Sequence, residues 1–305
     1  MYNERMKCIF LYNPNSGRGK IVKRLAYIEK KLRSKYDQVD FFAAHNATEF
    51  EEKICESATC YDAIIFSGGD GTFNNVLHGL KGKQATLGYI PSGTVNDTAR
   101  SLKIPRSLRG ALSVVLKGEP RALDCMKINE GHYAMYIAAA GAFTRATYTT
   151  PQSKKRVFGA LAYAFEAVKN NLKLDVFPLQ INFDGQIYRT NAVLILVMNG
   201  KSVAGFPINK KGKMDDGKLE VAVIRQVRKP NFFQKIAALF SLASLFIFGC
   251  SIKKKDVVIL SGKKLIIGTG EDVVWDFDGE EGVRGNATIE AMPQQIALFV
   301  PKNKK

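Results

Sequence analysis

The sequence predicts an α/β N-terminal domain built on a parallel sheet, followed by a mostly antiparallel β-sandwich. Three observations carry that expectation. Over the first 125 residues, short β-rich runs alternate with apolar residues spaced three or four apart, the pattern of parallel strands joined by helices. Three of those runs end in glycine-rich turns. Beyond residue 124 strand-like runs follow one another, and only two helical stretches interrupt them. The 305 residues suit two domains of moderate size, 1–128 and 129–305, with the last strand free to return to the first.

The elements follow in order. Cys8-Ile9-Phe10-Leu11-Tyr12 is a strand ended by the turn Asn13-Pro14-Asn15-Ser16-Gly17. Ile21, Leu25, Ile28 and Leu32 predict a helix over 20–32. Residues 39–42 form the second strand, and 48–57 a helix capped by Thr48. Residues 62–66 are a buried strand running into Gly68-Gly69-Asp70-Gly71-Thr72, with 73–80 helical. Residues 86–90 are a strand ended by Pro91-Ser92-Gly93-Thr94, and helices cover 95–102 and 108–117. In the second half, strands are expected at 133–140, 179–183, 187–198, 219–224, 257–260, 264–267, 273–277, 287–290 and 296–300. Asp184-Gly185 is a hairpin signal, and helices lie near 157–170 and 232–248.

Composition narrows the function classes. Apolar residues are 46% and charged residues 24%, so a packed core is expected and disorder is excluded as the main state. No run reaches the roughly 20 uninterrupted apolar residues of a membrane span. A net charge of +17, from 45 Lys and Arg against 28 Asp and Glu, favours nucleic acid, anionic lipid or phosphorylated substrates. Simple solubility accounts for the same charge. Helix-turn-helix, zinc and RNP patterns are missing, so nucleic acid is set aside. Cys8, Cys55, Cys60, Cys125 and Cys250 form no C-x-x-C pair, and His45, His78 and His132 lack metal-ligand spacing. The polar N-terminus has no apolar signal core, so export is not expected.

Three segments have the form of phosphate-binding loops: 13–20, Gly68-Gly69-Asp70-Gly71-Thr72, and Pro91-Ser92-Gly93-Thr94-Val95-Asn96-Asp97. Each follows a predicted strand. Glycine lets backbone N–H groups approach anionic oxygens, and a following helix adds its positive end. In an open α/β sheet the carboxyl ends of strands form the ligand crevice, so three such loops on one edge point to a phosphate ligand. A carboxylate there is repulsive unless a cation bridges it, so Asp70, with Asp97 and Asp124, suggests an acidic metal–water network. Helix capping is the plainer role for Asp70. Gly200-Lys201-Ser202 is not a P-loop, because the first glycine position holds Ile195. Gly17-x-Gly19 is not a dinucleotide fingerprint, because position 22 is Val.

Gly68 to Thr72, followed by Phe73-Asn74, resembles the signature of the diacylglycerol kinase catalytic-domain family. Asn13-Pro14-x-Ser16-Gly17, Pro91-x-Gly93-Thr94-x-Asn96-Asp97-x-Ala99-Arg100 and Asp278-Gly279-Glu280 are similar to its other blocks in order and spacing. GGDGT alone is shared with NAD kinases and phosphofructokinases, whose α/β fold the first domain resembles. The resemblance implies ATP contacts at Asn13, Pro14, Asn15, Ser16, Gly17, Gly68, Gly69, Asp70, Gly71, Thr72, Phe73, Asn74 and Thr94, with Thr48 a weaker candidate. It implies Glu280 as general base with Asp278 beside it as the catalytic pair. It also implies Mg²⁺ held by the Asp216 carboxylate and by the backbone carbonyls of Lys213 and Lys218.

These residues imply an ATP- and Mg²⁺-dependent lipid kinase. Diacylglycerol, converted to phosphatidic acid, is the leading substrate. An NAD kinase-like phosphotransferase and a non-catalytic nucleotide-binding regulatory protein are the alternatives. Residues 236–250 carry no charge, and about 22 Å of helix is too short for roughly 30 Å of bilayer core. That helix is expected to be buried, to line a lipid cleft or to dip into the interface. Basic flanks favour an anionic membrane surface as a peripheral partner. The expected location is cytoplasmic, against the inner face of the membrane, with a homodimer left open.

Overall fold

The computed structural model describes residues 5–15, 19–142 and 174–302. The chain divides into two compact units, Met1–Asp124 with Pro293–Lys305, and Cys125–Met292.

The first unit is a parallel sheet with helical connections. Strands β1 (Lys7–Tyr12), β2 (Gln38–Ala43), β3 (Ala63–Gly68) and β4 (Thr86–Pro91) lie in the order β2-β1-β3-β4. They pair parallel throughout. Every residue of β3 is buried, as expected of a central parallel strand covered on both faces. Helices α1 (Leu25–Leu32), α2 (Ala47–Ser57), α3 (Asp70–Leu80), α4 (Asp97–Ser101) and α5 (Leu108–Lys117) connect them. The helical pattern expected over 20–32 opens with a 3-10 turn at Val22–Arg24. The cap of α2 is Asn46, not Thr48, because the Asn46 side chain accepts the Glu49 N–H (2.9 Å). The Glu49 carboxylate in turn accepts the His45 N–H, so the first turn is held from both sides.

The second unit is a mostly antiparallel β-sandwich with one apolar core, in which Trp275 and Phe277 stack. Its strands are β5 (Glu119–Ile128), which begins in the first unit, β6 (His132–Ala134), β7 (Ile137–Gly141), β8 (Phe177–Phe183), β9 (Gln186–Met198), β10 (Leu219–Arg225), β11 (Val257–Gly262), β12 (Lys264–Gly268), β13 (Val274–Phe277), β14 (Glu280–Arg284) and β15 (Ala287–Val300). The 13 residues of β9 pair with β8 in their first half and with β7 and β10 in their second, which is buried throughout. Helix α6 (Phe232–Phe248) packs on β10. The helix expected at 157–170 lies outside the described residues.

Two expectations are corrected. The single strand at 133–140 is two strands, because the N–H groups of Met135, Tyr136 and Ile137 turn to the Asp278 carboxylate instead of a neighbouring strand. The separate strands at 287–290 and 296–300 are one, β15, running through Pro293. Gln294 takes a left-handed conformation (φ 52°), and Asp124 accepts its N–H at 2.8 Å. The start of β15 pairs antiparallel with β12, and its end pairs parallel with β4 at Ala297–Thr86 and Leu298–Leu87.

Candidate active site

The carboxyl ends of β1, β3 and β4 carry the three glycine-rich loops. β2 and β3 lie on opposite sides of β1, so the crevice between β1 and β3 is a topological switch point, where open α/β sheets bind ligands. At the first loop Asn13 Oδ1 accepts the Asn15 N–H (2.8 Å). Ser16 and Gly17 lie outside the described residues. The second loop leads through Gly68 and Gly69 into α3, whose 11 residues present their N-terminal N–H groups and helix dipole to the crevice.

The second and third loops touch backbone to backbone. A Cβ on Gly93 would stand 2.5 Å from the Gly69 Cα, and one on Gly69 would stand 3.1 Å from the Gly93 Cα. A Cβ on Gly68 would fall 2.2 Å from the Thr72 side chain. The loops are therefore bare of side chains where they meet, and glycine is required by space. Asn96 holds the third loop shut. It sits in the left-handed region (φ 56°), donates to the Gly93 carbonyl (2.8 Å) and accepts from the Gly93 N–H (3.0 Å) and the Tyr89 hydroxyl (3.2 Å). Arg100 donates to the Val95 carbonyl and Arg106 to the Thr94 carbonyl, so two cations border the same loop.

Asp70 joins two motifs. It leaves its own helix uncapped and instead accepts the N–H groups of Asp97 (3.0 Å) and Thr98 (3.2 Å) at the start of α4. Burial pushes its carboxyl up from 3.8 to about 6, and the Asp97 charge pushes the same way, against the backbone hydrogen bonds. Asp97 is 1% exposed. Nearby, Asn74 Oδ1 and Thr98 Oγ1 are buried without a hydrogen-bond partner. Buried polar atoms of that kind call for a ligand or water.

In the second unit, Asp278-Gly279 forms the turn between β13 and β14, with φ of 53° and 94°. The Asp278 carboxylate is buried and accepts the N–H groups of Met135 (2.5 Å), Tyr136 (3.0 Å) and Ile137 (3.0 Å). Asp276 accepts the Gly279 N–H (2.9 Å). Glu280 follows as the first residue of β14, paired with Phe277, and is exposed. Two buried acids thus fix a turn that presents a third to solvent.

Residues 7–128 match the model of the diacylglycerol kinase catalytic domain, and residues 137–300 match the YegS C-terminal NAD kinase beta sandwich-like domain. A diacylglycerol kinase of Staphylococcus aureus is 30% identical over 98% of this chain and 94% of its own. One from Staphylococcus epidermidis is 30% identical over 98% and 93%. The crystal structure of a candidate diacylglycerol kinase from Bacillus anthracis superposes with a TM-score of 0.83 at 25% identity, covering 99% of this chain and 97% of that one. The chain belongs to the diacylglycerol kinase family.

Membership in the diacylglycerol kinase family makes this chain a lipid kinase and implies the use of ATP. The expected site residues then sort by place. Asn13 to Asn15, Gly68 to Asn74 and Thr94 lie on the loops at one end of the first unit's sheet. The Phe73 side chain is fully buried against Phe66 and Tyr89, so only its backbone is open to a ligand. Thr48 stands exposed in the first turn of α2, after the edge strand β2. The three acids of the expected metal–water network differ in their hydrogen-bond partners. Asp70 and Asp97 come together, while Asp124 on β5 accepts the Gln294 N–H, and among the described residues no three His, Cys, Asp or Glu form a metal-holding group. Asp278, expected beside Glu280, is buried and holds the turn that precedes it.

The loop expected to hold Mg²⁺ would offer oxygen donors of the kind a hard cation takes, the Asp216 carboxylate and the carbonyls of Lys213 and Lys218. Asp216 accepts the Lys218 N–H (3.2 Å), and Gly217 turns at φ 66°. The sequence alone missed Glu220. Burial, and then the Asp216 charge, raise its carboxyl, although Asn209 donates to it at 2.7 Å. A cation would relieve that repulsion. Asn96 and Arg100 were visible in sequence only as members of the third glycine block, and Arg106, beyond that block, was not singled out.

Proposed function

We propose that this kinase transfers the γ-phosphoryl group of ATP to the primary hydroxyl of diacylglycerol, forming phosphatidic acid. The observation that carries the reading is the bare contact between Gly69 and Gly93 beside the N-terminus of α3. Neither glycine places a Cβ between the loops, which supports approach of phosphate oxygens to the first N–H groups of α3. Arg100 and Arg106 add positive charge to the same loop. Bound Mg²⁺ would neutralise charge on the phosphate oxygens. Asp70 is held by two backbone N–H groups but keeps lone pairs for metal-bound water. The loop at Asp216 would hold a second, structural Mg²⁺.

A primary alcohol is a poor nucleophile, so a carboxylate must accept its proton as attack begins. Glu280 is assigned that role, with Asp278 and Asp276 fixing its turn. The diacylglycerol assignment rests on the names of the relatives, and ATP as donor supports a cytoplasmic location.

The test is transfer of radiolabelled phosphate from ATP to diacylglycerol, sphingosine, a polyprenol and NAD, wild type beside Glu280→Gln. Label in diacylglycerol, reduced about 10²–10⁴-fold in the variant with ATP binding kept, is the expected result. Label in another lipid or in NAD would replace the substrate. ATP binding with no transfer to any acceptor would favour a regulatory protein.

A further inference from the structure

Helix α6 is apolar on both sides. Ala238, Leu239, Ser241, Leu242 and Leu245 are buried against the second unit. The opposite stripe, Phe233, Ala237, Phe240, Ser244 and Ile247, recurs every three or four residues and faces outward; Phe233 is 79% exposed and Phe240 66%. Every exposed phenylalanine among the described residues lies on this helix. Of the eleven large apolar side chains that stand exposed there, six fall within residues 227–248. An apolar surface gathered in this way marks an interaction site.

The charge around it selects the partner. Residues 226–255 contain six cations, Arg228, Lys229, Lys235, Lys253, Lys254 and Lys255, and no carboxylate. They lie at both ends of a helix about 25 Å long, with the phenylalanine stripe between them. A second copy docked symmetrically on this face would bring the two like-charged sets together. An anionic bilayer matches both features, since basic residues seat at its headgroups and aromatic side chains enter its boundary.

The stretch Phe232–Ser251 is long and apolar enough to cross a membrane by length and composition. Its attachments oppose that. Asn231 and Gln234 cap the start reciprocally, Gln226 donates to the Gln234 carbonyl, and the Cys250 N–H donates to the Ile208 carbonyl (2.7 Å). Both ends are tied to the second unit, which opposes a spanning helix.

We propose that the outward face of α6, with its basic flanks, docks the protein on anionic membrane surfaces. Such docking would bring a lipid kinase to its substrate, but binding needs neither ATP nor that substrate. The test is flotation of the full chain with phosphatidylcholine vesicles, with and without phosphatidylglycerol. Wild type is compared with Phe233→Ser/Phe240→Ser and with Lys253→Glu/Lys255→Glu. All the substituted side chains are exposed, and thermal melts check that folding is kept. Binding to anionic vesicles that weakens about tenfold or more in each variant, and weakens with added salt, is expected. Equal binding by wild type and variants, or no binding by either, would overturn the proposal. So would a wild-type dimer in solution that Phe233→Ser/Phe240→Ser dissociates. Transfer to a short-chain, water-dispersed diacylglycerol, measured on the same preparations, is expected to stay unchanged in the variants. If wild type lacks that transfer, the kinase reading fails while flotation still reports docking.

Discussion

Replacing Gly93 by Ala tests the contact on which the nucleotide site depends. The added Cβ would sit 2.5 Å from the Gly69 Cα and 2.7 Å from Asn96 Oδ1, well inside normal contact. Neither neighbour is the end of a flexible side chain: one is backbone, and the other is the amide that closes the loop. Gly93 does not have a positive φ, so the effect is overpacking alone. Overpacking of this kind costs about 1–3 kcal/mol. At about 2–4 °C per kcal/mol, the melting temperature should fall by roughly 2–12 °C. The loops must separate to accept the methyl group, so ATP affinity should fall as well. Gly69→Ala, with its closest contact at 3.1 Å, should be milder. Gly131→Ala is the control, because nothing lies within 4 Å of its Cβ. The assays are thermal melting and calorimetric ATP titration. A Gly93→Ala protein that melts and binds ATP like the Gly131→Ala control would refute the close approach.

Two further outcomes follow from the acids. Asp278→Ala strips the acceptor from three backbone N–H groups in a buried place, and urea unfolding should show a loss of about 1–3 kcal/mol or more, since the lost acceptor is charged. Turnover should fall with ATP binding retained, because the turn carrying Glu280 is released. Asp70 titrates near pH 6 in the fold against an ordinary 3.8, so between those values the native state keeps a proton that the unfolded chain has lost. The sign is therefore a fold that weakens as pH rises from about 4 to about 6, by up to about 3 kcal/mol. Urea midpoints across that window should fall more steeply for wild type than for Asp70→Asn, and parallel slopes would contradict the shift.

What the sequence made legible is what local chemistry dictates. The runs ending at Tyr12, Gly68 and Pro91 read as buried strands because apolar residues stop abruptly at glycine or proline turns. Helix 232–248 was bounded correctly from a mostly apolar run that carries one charge, Lys235. Long-range effects were not legible. Nothing near residue 135 announces that Asp278, 143 residues later, will take its N–H. The two strands expected at 287–290 and 296–300 join because Asp124 holds Gln294 between them, a contact not visible in sequence. The cap moved from Thr48 to Asn46 because either residue type serves and only the chain path decides. In the site, the glycine blocks were plain, but their contact at Gly69 and Gly93 needed three dimensions. The same holds for the packing of Phe73 against Phe66 and Tyr89.

The divided pairing of β15 constrains how the chain is made. The nucleotide-binding unit lacks a strand until residues 297–298 reach β4, by which time the second unit's sequence has been synthesised in full. More than two hundred residues thus separate two hydrogen-bonded neighbours, a non-local pairing that slows folding. A fragment ending at the unit boundary would leave β4 as an open edge, exposed to pairing with other chains. The N-terminal unit, first to leave the ribosome, is completed last.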